Sequence, residues 1–324
     1  MIFSLNCGKK AHSVKYTDSA GNRVSLHVEE QGEGIPVLFL HGNTFSSEVW
    51  KKQFEAESLK KFRLIAYDLR GHGKSVKFGD AKNAHRQYSL SRHAEDLRQV
   101  ISALKLEKPV VVGWSLGGNI VLRYLADNPE PKVARAMIFG AAPSFGLAGE
   151  KGFPVGSPTP EMGYTLKNVL FNPELNQEQA ETFVRMALGR DPADNAVGTP
   201  LTPDEVKEFA EICRNSDGFS RLGLLHGFGD IMKDLADGKL DTPPTDESVR
   251  NVWQGEMIAD VKKFKTPLKV LLNKNDMIDY RQMEYMAKIN PEFVGTTTVY
   301  ENGHGMFFSS PDEFNKELVD FIEK

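Results

Sequence analysis

The chain has 324 residues, 40% of them hydrophobic, and 44 acidic against 40 basic side chains give a net charge of −4. Such a balance leaves no polybasic footprint, so neither nucleic acid nor an anionic membrane surface is an expected partner. Two distant cysteines, Cys7 and Cys213, make no disulfide framework or metal cluster; with no signal-like start and no run of ~20 apolar residues, a cytoplasmic protein is expected.

The length suits two domains, or one large α/β unit with an insertion. Residues 12–17 and 23–29 read as strands joined by Asp18-Ser19-Ala20-Gly21-Asn22, which predicts an opening hairpin. The apolar run 35–40 predicts a third strand that ends in the loop His41-Gly42-Asn43-Thr44. A helix is predicted near 47–59 and a strand at 63–67. Ser89 is a suitable N-cap for the next helix, where Leu90, Ala94, Leu97, Ile101 and Leu104 recur at helical spacing. Asp96 on that helix reads as a solvated or loop-bracing carboxylate.

The next segment carries the chemistry. Pro109-Val110-Val111-Val112 predicts a buried strand, Asn119 to Ala126 a helix, and Gly113-Trp114-Ser115-Leu116-Gly117 between them matches G-x-S-x-G. A strand that turns sharply into a helix exposes its central hydroxyl, and the flanking glycines leave room for the turn. Ser115 is therefore the candidate nucleophile.

A serine hydroxyl needs a base and an orienting acid, and on such an elbow the chain order is Ser, Asp or Glu, then His. Of eight histidines only His226 and His304 follow Ser115. His304 lies between glycines directly after the strand-like 296–300, whereas His226 sits in a helical-looking stretch and reads as a packed or surface residue. The strand at 267–272 ends in Asn273-Lys274-Asn275-Asp276, which makes Asp276 the expected acid. Asp279 is its competitor, better placed to cap a helix at 279–289. For the oxyanion of a tetrahedral intermediate, the expected donors are the N–H groups of Leu116 and Asn43, with the Asn43 side-chain amide as a further contributor. His41, which precedes the serine, reads as a brace for that loop. Trp114 has two readings held as equals: it lines the alcohol or lactone side of the pocket, or it packs under the elbow.

Residues 133–139 predict another strand and 311–323 a terminal helix. Between 144 and 265 this alternation stops. The segment is proline-rich, with helical patches at 177–188 and 203–213, and it contains Phe145, Phe153, Phe171, Phe183, Phe209, Phe219 and Phe228 with Met162, Met186, Met232 and Met257. Most of these read as the segment's own core, and a few face Ser115.

These motifs, with Asp68-Leu69-Arg70-Gly71-His72-Gly73-Lys74-Ser75, resemble the α/β-hydrolases. The resemblance implies a mostly parallel central sheet flanked by helices, a core of 1–143 and 266–324, and a mainly helical cap over 144–265. It also implies structural roles for Asp68 and His72. The His41-Gly42-Asn43 loop with Ser46, Ser47 and Trp50 is similar to haloalkane dehalogenases, but those carry aspartate at the elbow, so their chemistry is not carried over. The Gly113-Trp114-Ser115-Leu116-Gly117-Gly118 elbow, the same loop and the helical lid resemble serine-type N-acyl homoserine lactone lactonases. The chain departs from that group in a longer lid, similar only around Ser216-Asp217-Gly218, and in Met277, which stands where that group has an acidic residue.

The expected activity is hydrolysis of a carboxylic ester or lactone with an apolar acyl group, through an acyl-enzyme and without metal or cofactor. Perhydrolase or cofactor-free haloperoxidase chemistry on the same triad is the alternative. A non-catalytic ligand receptor is the third reading, disfavoured because no triad member is missing.

Overall fold

The protein was analysed as a computed structural model, which describes residues 8–79, 84–128, 132–141, 159–170, 172–189, 198–224 and 261–324. One eight-stranded sheet runs in the order β1-β2-β4-β3-β5-β6-β7-β8. Its strands are β1 (Lys10–Thr17), β2 (Arg23–Gln31), β3 (Pro36–Leu40), β4 (Arg63–Tyr67), β5 (Val110–Trp114), β6 (Arg135–Phe139), β7 (Leu268–Asn275) and β8 (Val294–Gly303). β2 pairs antiparallel with β1 and β4, and every later pairing is parallel. The predicted opening hairpin and the mostly parallel sheet are both present.

Strands buried on both faces need apolar side chains in both directions. Val37 and Phe39 of β3 join one apolar cluster while Leu38 and Leu40 join the other, and β5 divides Val110 and Val112 from Val111 in the same way. The first cluster is completed by α1 (Lys51–Glu55) through Phe54. The second is covered by α3 (Leu90–Ala103) and α4 (Leu116–Asp127), α3 being preceded by the short α2 (Ala84–Gln87). Ser89 caps α3 as expected, its side chain accepting from Arg92 N.

Between β6 and β7 the regular elements described are helices: α5 (Pro160–Thr165), α6 (Gln177–Leu188), α7 (Pro203–Arg214) and α8 (Gly218–Leu224), with a π-helical turn at Leu166–Leu170. Both predicted helical patches are there. Each begins at a capping box, Asn176 with Gln179 and Thr202 with Glu205. Phe145, Phe153, Phe171, His226, Phe228, Met232 and Met257, like Cys7 and the start of the insertion at 144, lie outside the described residues. The chain ends with α9 (Tyr280–Ile289), α10 (Met306–Ser309) and α11 (Pro311–Ile322). Among the described residues no helix is long and apolar enough to cross a membrane.

The sequence reading departs from the structure in two places, and at a third the structure decides between its alternatives. The helix expected over 47–59 is broken into a 3₁₀ turn (Ser47–Trp50), α1 and a second 3₁₀ turn (Glu57–Leu59), the last two separated by Ala56, whose backbone is extended. β7 and β8 run further than predicted, since Asn273 and Asn275 still pair with Tyr300 and Gly303. Asp96 is not solvated. It lies fully buried and grips Arg70 with two bonds of 2.7 Å, while Arg70 also reaches Gln87 O at 2.9 Å and Tyr16 donates to the same carboxylate. Of the two expected roles, bracing is the one observed.

His41, His72 and His93 are completely buried beside this network, and burial holds all three below the ordinary imidazole value. For His72 and His93 the shift is large, and neighbouring positive groups add to it. A histidine with a depressed folded pKa leaves the unfolded chain as the better proton acceptor. Its stabilisation is complete above the unfolded value of about 6.5 and is lost as pH falls below it. The unfolding free energy measured in urea should therefore decline steadily from about pH 6.5 downward. A flat profile down to pH 5 would show that the three imidazoles are already charged in the fold.

Candidate active site

β5 ends at Trp114 and α4 begins at Leu116, so Ser115 alone makes the turn, at φ 55 and ψ −119. This conformation is strained for a residue with a side chain, and it is held by the surroundings. Ser115 N donates to Phe139 O at 2.9 Å, while Ser115 O accepts from Gly118 N at 2.9 Å and Asn119 N at 3.2 Å. At Gly117 a Cβ would lie 2.3 Å from Leu40 O, so only glycine lets α4 start this close to the end of β3.

His304 and Asp276 meet beside that turn. His304 follows β8, is 5% exposed, and its Nδ1 donates to Asp276 Oδ1 at 2.7 Å. The same oxygen accepts from Ile278 N at 2.8 Å, while Asp276 Oδ2 is buried without a hydrogen-bond partner. An aspartate on Nδ1 fixes the proton there and leaves Nε2 as the acceptor. Asp279, the competing acid, instead caps α9 by accepting from Arg281 N at 3.0 Å.

Trp114 is a packed residue that also reaches the cavity. Its indole is 1% exposed and packs on Phe45 and Phe307, yet it also forms part of the cavity wall. It further holds His304: Nε1 donates to the His304 carbonyl at 2.9 Å and the two rings lie 5.3 Å apart.

Leu116 and Asn43 both line the cavity in front of Ser115. As the first residue of α4, Leu116 has an N–H without an intrahelical acceptor, at the positive end of the helix dipole. Asn43 is fixed by its side chain, whose Oδ1 accepts from Thr44 N at 2.9 Å and faces His72 Nε2 at 3.2 Å. His41 accepts from Leu69 N at 2.9 Å on Nε2 and donates from Nδ1 to Gly42 O at 2.7 Å, so it braces the loop as a neutral ring. Asp68, accepting from the backbone of Ser47 and Lys74 at 2.7 Å each, is likewise structural.

The cavity measures about 100 Å³. From the insertion, Met162, Leu166 and Phe183 line it, facing Phe45 and Met277 of the core. Phe209 instead packs edge-on against Phe308 at 5.3 Å inside the apolar core. Among the described residues no group of three His, Cys, Asp or Glu side chains is arranged to hold a metal ion.

Sequence reasoning missed Gly140, which ends β6 at φ 58. A Cβ there would stand 2.8 Å from His304 Nδ1 and 3.3 Å from Asp276 Oδ2. The only trace of this in the sequence is a glycine directly after a strand, a common turn residue.

Comparison with known proteins places this geometry in context. A family profile for the alpha/beta hydrolase fold matches residues 35–311. The chain is similar to a non-heme haloperoxidase of Rhodococcus erythropolis, 34% identical over 125 residues, 39% of this chain and 43% of that one. It is 27% identical over 291 residues to the bifunctional esterase/perhydrolase DCH of Acinetobacter calcoaceticus, 89% of this chain and 91% of that one. Among solved structures, N-acyl homoserine lactonase AidH complexed with N-butanoyl homoserine superposes with a TM-score of 0.68 at 25% identity, covering 97% of this chain and 96% of that one.

The Gly140 contact gives a direct test of the His304–Asp276 pair. Gly140→Ala combines an unfavourable φ with a methyl group inside the imidazole's contact distance, so the ring must move. Phosphonylation of Ser115 by a fluorophosphonate probe should slow by about 100-fold, the cost of misplacing a reacting group by roughly 1 Å. An unchanged labelling rate in a folded variant would show that His304 does not activate Ser115.

Proposed function

The chain belongs to the α/β-hydrolase fold family, and from that premise we propose that it is a serine hydrolase that opens carboxylic esters or lactones through an acyl-enzyme. The observation that carries this reading is the His304 Nδ1–Asp276 Oδ1 bond of 2.7 Å on the cavity that Ser115 also lines. Ser115 Oγ attacks the carbonyl carbon while His304 Nε2 takes its proton. Negative charge collects on the former carbonyl oxygen, where the N–H groups of Leu116 and Asn43 receive it. His304 returns the proton to the departing alkoxide, then draws one from water; the hydroxide so formed attacks the acyl carbon, and as the acid leaves His304 gives that proton back to Ser115 Oγ. Asp276 keeps the imidazole in the reactive tautomer and stabilises the imidazolium.

In this reading residues 144–265 form the cap that selects the substrate, over a core of 1–143 and 266–324. The wall built from Phe45, Phe183, Leu166 and Met162 supports an apolar acyl group. The lactonase complex with N-butanoyl homoserine supports N-acyl homoserine lactones as the first substrates to try. Trp114 serves the substrate as wall and His304 as anchor. Because one relative carries a perhydrolase name, hydrogen peroxide belongs in the assay as an alternative to water at the acyl-enzyme stage.

Ser115→Ala should abolish ester turnover and fluorophosphonate labelling while the fold persists; labelling that survived on another serine would remove the assignment. Asp276→Asn should lower kcat on the order of 10⁴-fold through the wrong imidazole tautomer, and Asp279→Asn should do little. Reversed effects would make Asp279 the acid.

Across esters or lactones from C2 upward, kcat/KM should climb by roughly fourfold for each methylene buried in the apolar wall. A profile that is flat or falling from C2 would mean that the wall admits no chain at all.

A further inference from the structure

Thr165 is out of character with its surroundings. It closes α5, is 4% exposed, and lines the cavity among side chains of the insertion that are otherwise apolar: Met162, Leu166, Leu170 and Phe183. Among the described residues its hydroxyl has one partner, the Met277 Sδ at 3.9 Å. A thioether is a weak acceptor, so this buried donor lacks a partner of ordinary strength. Such a group costs stability unless something occupying the cavity bonds to it. Ligand sites are mostly apolar walls carrying a few polar groups that fix orientation.

The hydroxyl is also held in place. Thr159, the N-cap of α5, donates from Oγ1 to Met277 O at 3.5 Å, so both ends of this short helix touch the residue that follows Asp276. Helix α5 therefore meets the acid loop at both its start and its end. A substrate oxygen would replace a poor sulfur acceptor with a good one and disturb no other bond.

We propose that Thr165 Oγ1 is a hydrogen-bonding subsite for a second acceptor oxygen of the substrate, separate from the scissile carboxyl group. The preferred substrates are then esters or lactones that carry an additional oxo, hydroxy or amide oxygen, rather than plain alkanoates. This rests on the serine hydrolase reading and adds a substrate class to it.

Matched p-nitrophenyl or alkyl esters of equal length test it. In one set the acyl side either carries or lacks an extra carbonyl, and in the other set the alcohol side does. In at least one set the intact protein should favour the oxygenated member by about tenfold in kcat/KM, the span of one neutral hydrogen bond. Thr165→Val should lower kcat/KM about tenfold more on the oxygenated member than on its plain partner, so that the preference disappears, and Thr165→Ser should restore it. Absence of any preference, or an equal loss on both members in Thr165→Val, overturns the proposal while plain-ester turnover still upholds the hydrolase. Absence of Ser115-dependent turnover on every ester defeats the hydrolase reading, and this inference with it.

Discussion

The site depends on one strained residue. Ser115 sits at φ 55 and ψ −119 because the chain must leave β5 and enter α4 within a single peptide step. The strain is sustained by close backbone packing that no Cβ would permit. A Cβ on Gly113 would lie 2.5 Å from Gly117 O, and one on Gly117 would lie 2.3 Å from Leu40 O. The ends of β3, β5 and α4 thus converge on one point, and that convergence brings Asn43, Ser115 and Leu116 to the same cavity. Strain concentrated at one residue and balanced by its neighbours is a recurrent property of reactive sites.

A second constraint couples the two halves of the site. His304 is 190 positions from Trp114 in the chain, yet the indole N–H holds its carbonyl at 2.9 Å. The residue that precedes the candidate nucleophile therefore anchors the backbone of the candidate base. Gly140 leaves room beside the ring's Nδ1 edge, and Asp276 sets the ring through Nδ1. Three elements from different parts of the sheet converge on one imidazole, which restricts both its position and its tautomer before a substrate arrives.

How much of this was legible in the sequence follows from how local each feature is. The elbow is local: a valine run, two glycines and a helix pattern are contiguous, so Ser115 could be read directly. Asp276 and Asp279 could be ranked because capping is also local, and Asp279 does cap α9. Arg70 and Asp96 could not be paired, since their contact joins a loop to a helix through the fold's interior. The break in 47–59 falls at Ala56, whose extended backbone no residue pattern in that stretch announces. The roles of the insertion's aromatic residues depend on how its helices face the core. Phe183 and Phe209 look alike in sequence, but only Phe183 of the two reaches the cavity.

The loop that carries Asn43 illustrates why buried polar groups accumulate behind such a site. From the core side, neutral His41 ties Gly42 O to Leu69 N. From the insertion side, Thr44 donates to Cys213 Sγ at 3.3 Å, and burial pushes that thiol up to about 12, so it remains protonated. Thr44 itself sits at φ 70, a second strained residue one position from Asn43. Neither fastening places a negative charge behind the loop, which would oppose an oxyanion in front of it. Donors fixed in advance stabilise developing negative charge without reorganising. Burial that holds the His41 imidazole below its ordinary value ties this fastening of the loop to the loss of stability expected below about pH 6.5.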